Sequence, residues 1–146
     1  MRILKPTILL LSILFVVNCR HYTKETRCFL EALGQYNIVI PDDSHIFIII
    51  PTFSCTGCVK MTWLWLEHNM SGNAYNNISI IDCNINDAFV TETNCDVYFD
   101  TLGVMDNLCF DLANPMIIKT DNIRISSITY IDPRFIEETL QQQLLQ

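Results

Sequence analysis

The sequence predicts an α/β domain built on a mixed sheet of four to five strands flanked by helices. Three observations predict it. The uncharged run Ile46 to Ile50 (IFIII) has the β-branched and aromatic composition of a strand buried on both faces. A segment with helical spacing follows it, with Val59, Trp63 and Leu66 on one side and Leu64 and Trp65 beside them. Further on, strand-like runs alternate with helix-like segments, and the chain closes on two strands, a turn and a helix.

Residues 1–18 read as an export signal. Arg2 and Lys5 give a positive start, and Thr7 to Val17 is an apolar stretch broken only by Ser12, too short for a comfortable membrane span. The stretch runs into Val16-Val17-Asn18-Cys19, which resembles a bacterial lipoprotein signal. That resemblance implies cleavage before Cys19, a lipid on that cysteine and a location on the periplasmic face of a bacterial membrane. Ordinary secretion or an uncleaved anchor are the alternatives. Residues 19–36 read as a tether and a short N-terminal helix, and 37–146 as the main domain. Thr23 or Thr26 caps that helix, Cys28, Phe29, Leu30 and Leu33 form its apolar side, and Gly34 is the expected stop.

Tyr36 to Ile40 (YNIVI) is expected as a short strand, followed by a turn at Pro41-Asp42-Asp43-Ser44 with His45 solvated on its rim. After the Ile46–Ile50 strand, Pro51 ends the run because it has no N–H for a ladder. The helix after it carries Met61, Trp63, Leu64, Trp65 and Leu66 as wide apolar cover for a sheet face, and Lys60 as a solvated residue. Ile78 to Asp82 is the next buried strand. Asp82 to Asp87 is no calcium loop: Asp87 stands where the turn needs Gly, and Thr93 where a bidentate Glu belongs. Asp100 to Leu112 is expected as a helix with Leu102, Met105, Leu108 and Cys109 inward. Asn114-Pro115 opens the strand Met116–Lys119, Thr120-Asp121-Asn122 is the turn, and Ile123 to Tyr130 the return strand. Asp132 as N-cap and Pro133 at the first helical position start a last helix, with Ile136, Leu140 and Leu144 on one face.

The formal net charge is −7, and there is no Lys or Arg between Lys60 and Lys119. Such an acidic chain is no nucleic-acid binder. Seven cysteines are many for a cytosolic chain of this length, and lipidation of Cys19 leaves an even six.

The chemistry concentrates at Cys55-Thr56-Gly57-Cys58, where a buried strand hands over to a helix. The first turn of a helix has unpaired N–H groups and about half a positive charge, which stabilise a thiolate. Two cysteines three apart there can close a disulfide, with Cys55 exposed as the nucleophile and Cys58, a turn further in, as the resolving thiol. A zinc site using both and two further cysteines is the competing use, but the chain has no second Cys-x-x-Cys and no His-x-x-x-His.

The order strand, loop, Cys-x-x-Cys, helix, with the Pro115-led strand Met116-Ile117-Ile118 about 60 residues beyond Cys55, resembles the thioredoxin superfamily. It is similar above all to the periplasmic, membrane-tethered redoxin branch, over roughly residues 37–146. The resemblance implies a thioredoxin-like fold and a thiol–disulfide oxidoreductase of the cell envelope. It implies Cys55 as nucleophile and Cys58 as resolving thiol. Pro115 would be a cis-proline shaping the substrate groove, and Asn114 would present its backbone to the substrate chain. The implied partners are a disulfide-containing protein substrate and an upstream thiol electron donor, with no cofactor and no metal. Two positions depart from the pattern: Ser54 stands where the family often has Trp, and Ile49 where thioredoxins proper have a buried Asp. Thr56-Gly57 has no His or charge, so a reductase or isomerase is expected rather than a strong oxidant. The competing reading is a non-catalytic lipoprotein of the same fold that serves as a binding or assembly module.

Overall fold

The structure, a computed structural model, describes residues 22–72, 75–83, 93–105, 110 and 112–145. Among these residues the elements are α1 (Lys24–Gln35), β1 (His45–Ile50), α2 (Thr56–Met70), β2 (Ile78–Asp82), β3 (Asp96–Phe99), β4 (Met116–Asp121), β5 (Arg124–Tyr130) and α3 (Ile136–Leu144). The strands form one five-stranded mixed sheet in the order β3-β2-β1-β4-β5. β1 runs parallel to β2 and antiparallel to β4, β2 parallel to β3, and β4 antiparallel to β5. The α/β class, the mixed sheet and the flanking helices are as the sequence predicts.

β1 lies in the middle and is covered twice, which is why it shows no alternation. Phe47 and Ile49 pack with Phe29 and Leu33 of α1, and Ile48 and Ile50 pack with Val59, Trp63 and Leu66 of α2. The Phe29 and Phe47 rings meet edge to face at 5.2 Å. α1 is therefore part of the core rather than an appendage. Thr23 supplies its cap, its hydroxyl accepting from the Thr26 N–H at 3.2 Å. β2 feeds both layers in turn, with Ile78 and Ile80 toward α2 and Ile81 toward α1.

Several expectations are corrected. Residues 36–40 are not a strand. α1 ends at Gln35, one residue past Gly34, with Asn37 in the left-handed region at φ 56°. The Asn37 N–H donates to Gly34 O and the Ile38 N–H to Leu33 O, closing a Schellman cap that uses the donors a strand would need. The outer position beside β2 belongs instead to Asp96–Phe99. The helix expected over Asp100–Leu112 is absent from Asp100–Val104. The buried Asp100 carboxylate accepts from the Val104 and Met105 N–H groups at 2.9 and 2.7 Å and from the Tyr36 hydroxyl, and these bonds set a turn. Burial, followed by the Asp100 hydrogen bond, pushes the Tyr36 phenol up to about 12. Leu102 points to solvent while Met105 is buried; Leu108 and Cys109 lie outside the described residues. α3 starts at Ile136, not at Pro133, because Asp132 spends its carboxylate on the Arg134 N–H and guanidinium instead of capping a helix. Leu64 is half exposed and covers no sheet face. The β4–β5 turn is one residue later than expected, with Asn122 and Ile123 both at positive φ, the geometry of a tight hairpin that suits Asn better than Ile.

His45 is also corrected: it is not solvated but is the first residue of β1 and only 4 % exposed. Its Nε2 lies 2.9 Å from the Ser79 hydroxyl, and its ring tilts over Phe47 at 4.7 Å. Burial pushes its pKa below the ordinary 6.5, against a smaller opposing pull from Asp96. The folded state therefore holds neutral His45 while the unfolded chain takes up a proton. Its contribution to stability is fully present above about pH 6.5 and is lost as the pH falls toward the folded value. Urea midpoints measured from pH 7.5 to 5 should fall more steeply for the parent protein than for His45→Asn. Parallel curves would show that His45 carries no such linkage.

Candidate functional site

The end of β1 delivers the Cys-x-x-Cys turn. Pro51 stops the strand, and the next residues are fastened to β2: the Cys83 N–H donates to Ile50 O at 2.9 Å, and the Thr52 hydroxyl donates to Cys83 O at 2.7 Å. Cys55 is then the N-cap of α2. Its Sγ accepts from the Cys58 N–H at 3.0 Å, and its carbonyl from the Val59 N–H at 3.1 Å. Cys55 and Cys58 are joined in a disulfide, with Cα atoms 5.2 Å apart. The Cys55 sulfur thus sits where the N-terminal N–H groups and the positive end of the helix stabilise negative charge.

The two sulfurs differ in access. Cys55 is exposed, whereas Cys58 is 2 % exposed and packed among Ile117, Ile131 and Ile136. An incoming sulfur therefore reaches Cys55 and not Cys58. No charged side chain occurs from Ile46 to Val59, and the strand register pairs the buried Asp82 with Ile50 at this end of the sheet.

Pro115 and Asn114 lie at the same end of the sheet. Met116 pairs with Ile49, so one further step of that antiparallel register sets Pro115 beside Ile50. Pro115 is buried, and its carbonyl accepts from the Ile131 N–H at 2.8 Å. The Asn114–Pro115 bond is not cis, which corrects the expectation: the described peptide bonds are all trans. Trans is the ordinary isomer of an X–Pro bond, favoured by about 0.5–1 kcal/mol.

Among the described residues, the Cys83 and Cys95 side chains do not extend this site. Cys83 belongs to the layer under α1 and Cys95 to the layer under α2, so the two lie on opposite sides of the sheet and cannot pair. Burial, then the nearby Asp96, pushes the Cys95 thiol up to about 11, which keeps it protonated at neutral pH. Cys28 is disulfide-bonded. Cys19, Cys109 and residues 1–18 lie outside the described residues. Among the described residues no three His, Cys, Asp or Glu side chains converge on one point, and no helix is long and apolar enough to cross a membrane.

Sequence reasoning missed Phe53, which stands 82 % exposed two residues before Cys55. It is a large apolar side chain held in water on the loop that leads into Cys55. The only signal for it in the sequence is its place in the loop between Pro51 and Cys55. No family model matches the chain, and neither a curated protein nor a solved structure matches it.

Proposed function

We propose that this protein is a thioredoxin-like thiol–disulfide oxidoreductase of the cell envelope. The observation that carries the reading is the asymmetry of the pair: an exposed Cys55 capping a helix and a buried Cys58 within disulfide reach. The strand order supports it, because it sets Pro115 and Asn114 at the end of the sheet where the pair stands. The leader of residues 1–18 and Cys19 supply export and a lipid anchor to the periplasmic face of a bacterial membrane.

In the reducing direction the Cys55 thiolate attacks one sulfur of a substrate disulfide. A Cys55–substrate bond forms, and the second substrate sulfur leaves as a thiolate and takes a proton. Cys58 then loses its proton and attacks the Cys55 sulfur. The intramolecular disulfide forms, and the first substrate sulfur leaves reduced. Two electrons have passed to the substrate, and an upstream dithiol restores the pair by the same exchange. Phe53 and the backbone at Asn114 contact the polypeptide that carries the substrate disulfide.

Cys58→Ser tests this directly. Without the resolving thiol the first step has no internal exit, so the variant should accumulate a mixed disulfide through Cys55. The adduct should be visible on non-reducing gels, removed by dithiothreitol, and absent from Cys55→Ser/Cys58→Ser. A variant that forms no adduct with disulfide-bonded proteins would refute the exchange mechanism.

A further inference from the structure

A groove that the thiol chemistry does not use runs along the outside of α2 and α3. The two helices pack through Trp65, Leu140 and Leu144, and the channel between them is open. One hollow of about 460 Å³ lies against Leu64, Trp65 and Leu145, and a second of about 260 Å³ lies against Phe135 to Glu138. Met61 and Glu137 line both, so the two hollows adjoin along the seam between the helices. Met61, Leu64, Phe135 and Leu145 are each 42–48 % exposed. Met61 and Leu64 are three residues apart and share a face of α2, so their exposure makes a stripe rather than a scatter.

The rim is acidic on its α3 side, while α2 contributes His68. Glu137 and Glu138 edge the groove, and α3 has no basic residue. Among the described lining residues the single guanidinium is Arg134, which Asp132 already holds at 2.7 Å. The complement of an apolar floor with a negative rim is an apolar stripe flanked by Lys or Arg. α3 has nine residues, which at about 1.5 Å per residue gives a groove of roughly 13 Å, the length of about two and a half helical turns.

We propose that this groove docks a basic amphipathic helix of a partner protein. The apolar residues of that helix, at i, i+3, i+4 and i+7, lie along Met61, Leu64 and Trp65, and its Lys or Arg residues pair with Glu137 and Glu138. The net charge of −7 steers such a partner toward the chain. None of the described lining residues is a cysteine, so the docking stands or falls separately from the exchange chemistry.

The chain has two tryptophans, of which Trp63 is buried and Trp65 lines the groove, so an emission change on binding reports on Trp65. The probe is a 14-residue Leu/Lys amphipathic peptide titrated into the purified protein, with its Leu/Glu counterpart as control. A saturable shift is expected with the Leu/Lys peptide alone. Leu64→Ser and Glu137→Gln/Glu138→Gln should each weaken it at least tenfold. Asp42→Asn/Asp43→Asn, which removes exposed acidic groups outside the groove, should leave it unchanged. The proposal is overturned if the Leu/Lys peptide gives no saturable shift, if the Leu/Glu peptide binds as well, or if Leu64→Ser or Glu137→Gln/Glu138→Gln has no effect. Equal weakening by the two acidic pairs would also overturn it, since that result marks general charge attraction.

Discussion

Replacing Cys55 by Ser should reduce disulfide exchange at least a thousandfold, equivalent to about 4 kcal/mol of barrier. The hydroxyl fills the space of the thiol and can still accept from the Cys58 N–H, so the helix cap and the fold should survive. What disappears is the thiol that, in the proposed exchange, makes and breaks the bond to substrate sulfur. Cys58 cannot replace it, because Ile117, Ile131 and Ile136 enclose its side chain. The check is reduction of a disulfide-bonded protein by dithiothreitol with catalytic amounts of each variant, beside a thermal melt. A fold that melts like the reduced parent, with exchange at the uncatalysed rate, is the expected pair of results. Undiminished exchange would move the chemistry away from Cys55.

Phe47→Ala should cost about 3–5 kcal/mol of folding stability. Phe47 is fully buried in the central strand, between Phe29 of α1 and the His45 ring. Removing its ring leaves a cavity in the layer that joins α1 to the sheet, and the flanking β2 and β4 hold the backbone against collapse. The loss shifts the melting temperature by roughly 10 °C for a domain of this size. Chemical denaturation measures it, and a loss below about 1 kcal/mol would mean that the α1 layer is not a packed core.

The parts of the fold legible in the sequence are those set by continuous apolar runs. Ile46–Ile50, Ile78–Asp82 and Met116–Ile118 read as buried strands because both faces of each are covered, and Cys55 reads as a helix start because a buried strand and Pro51 precede it. Several misread parts are set by polar side chains whose partners lie elsewhere in the chain, and others by local hydrogen bonds that replace the expected ones. Tyr36 meets Asp100 across 64 residues, and His45 meets Ser79 across 34; neither partner is visible in local spacing. Asp132 was expected to cap α3, but Arg134, two residues on, takes its carboxylate. The short strand Asp96–Phe99 has a partner on one edge only and a polar start, so its composition carries little signal. At the site, the helix start at Cys55 and the reach of Cys58 to it were legible from the spacing of the pair. The exposure of Phe53 and the groove beside α2 were not, because an apolar residue turned outward reads like one turned inward.

The midpoint potential of the Cys55–Cys58 couple separates a catalytic dithiol from a structural disulfide. The protein is equilibrated in glutathione or dithiothreitol buffers, the free thiols are alkylated, and the pair is read by mass spectrometry. A catalytic dithiol should titrate between about −120 and −270 mV, toward the reducing end for a Thr-Gly pair without a histidine or charge. A midpoint below about −300 mV would identify a structural disulfide and contradict the oxidoreductase reading.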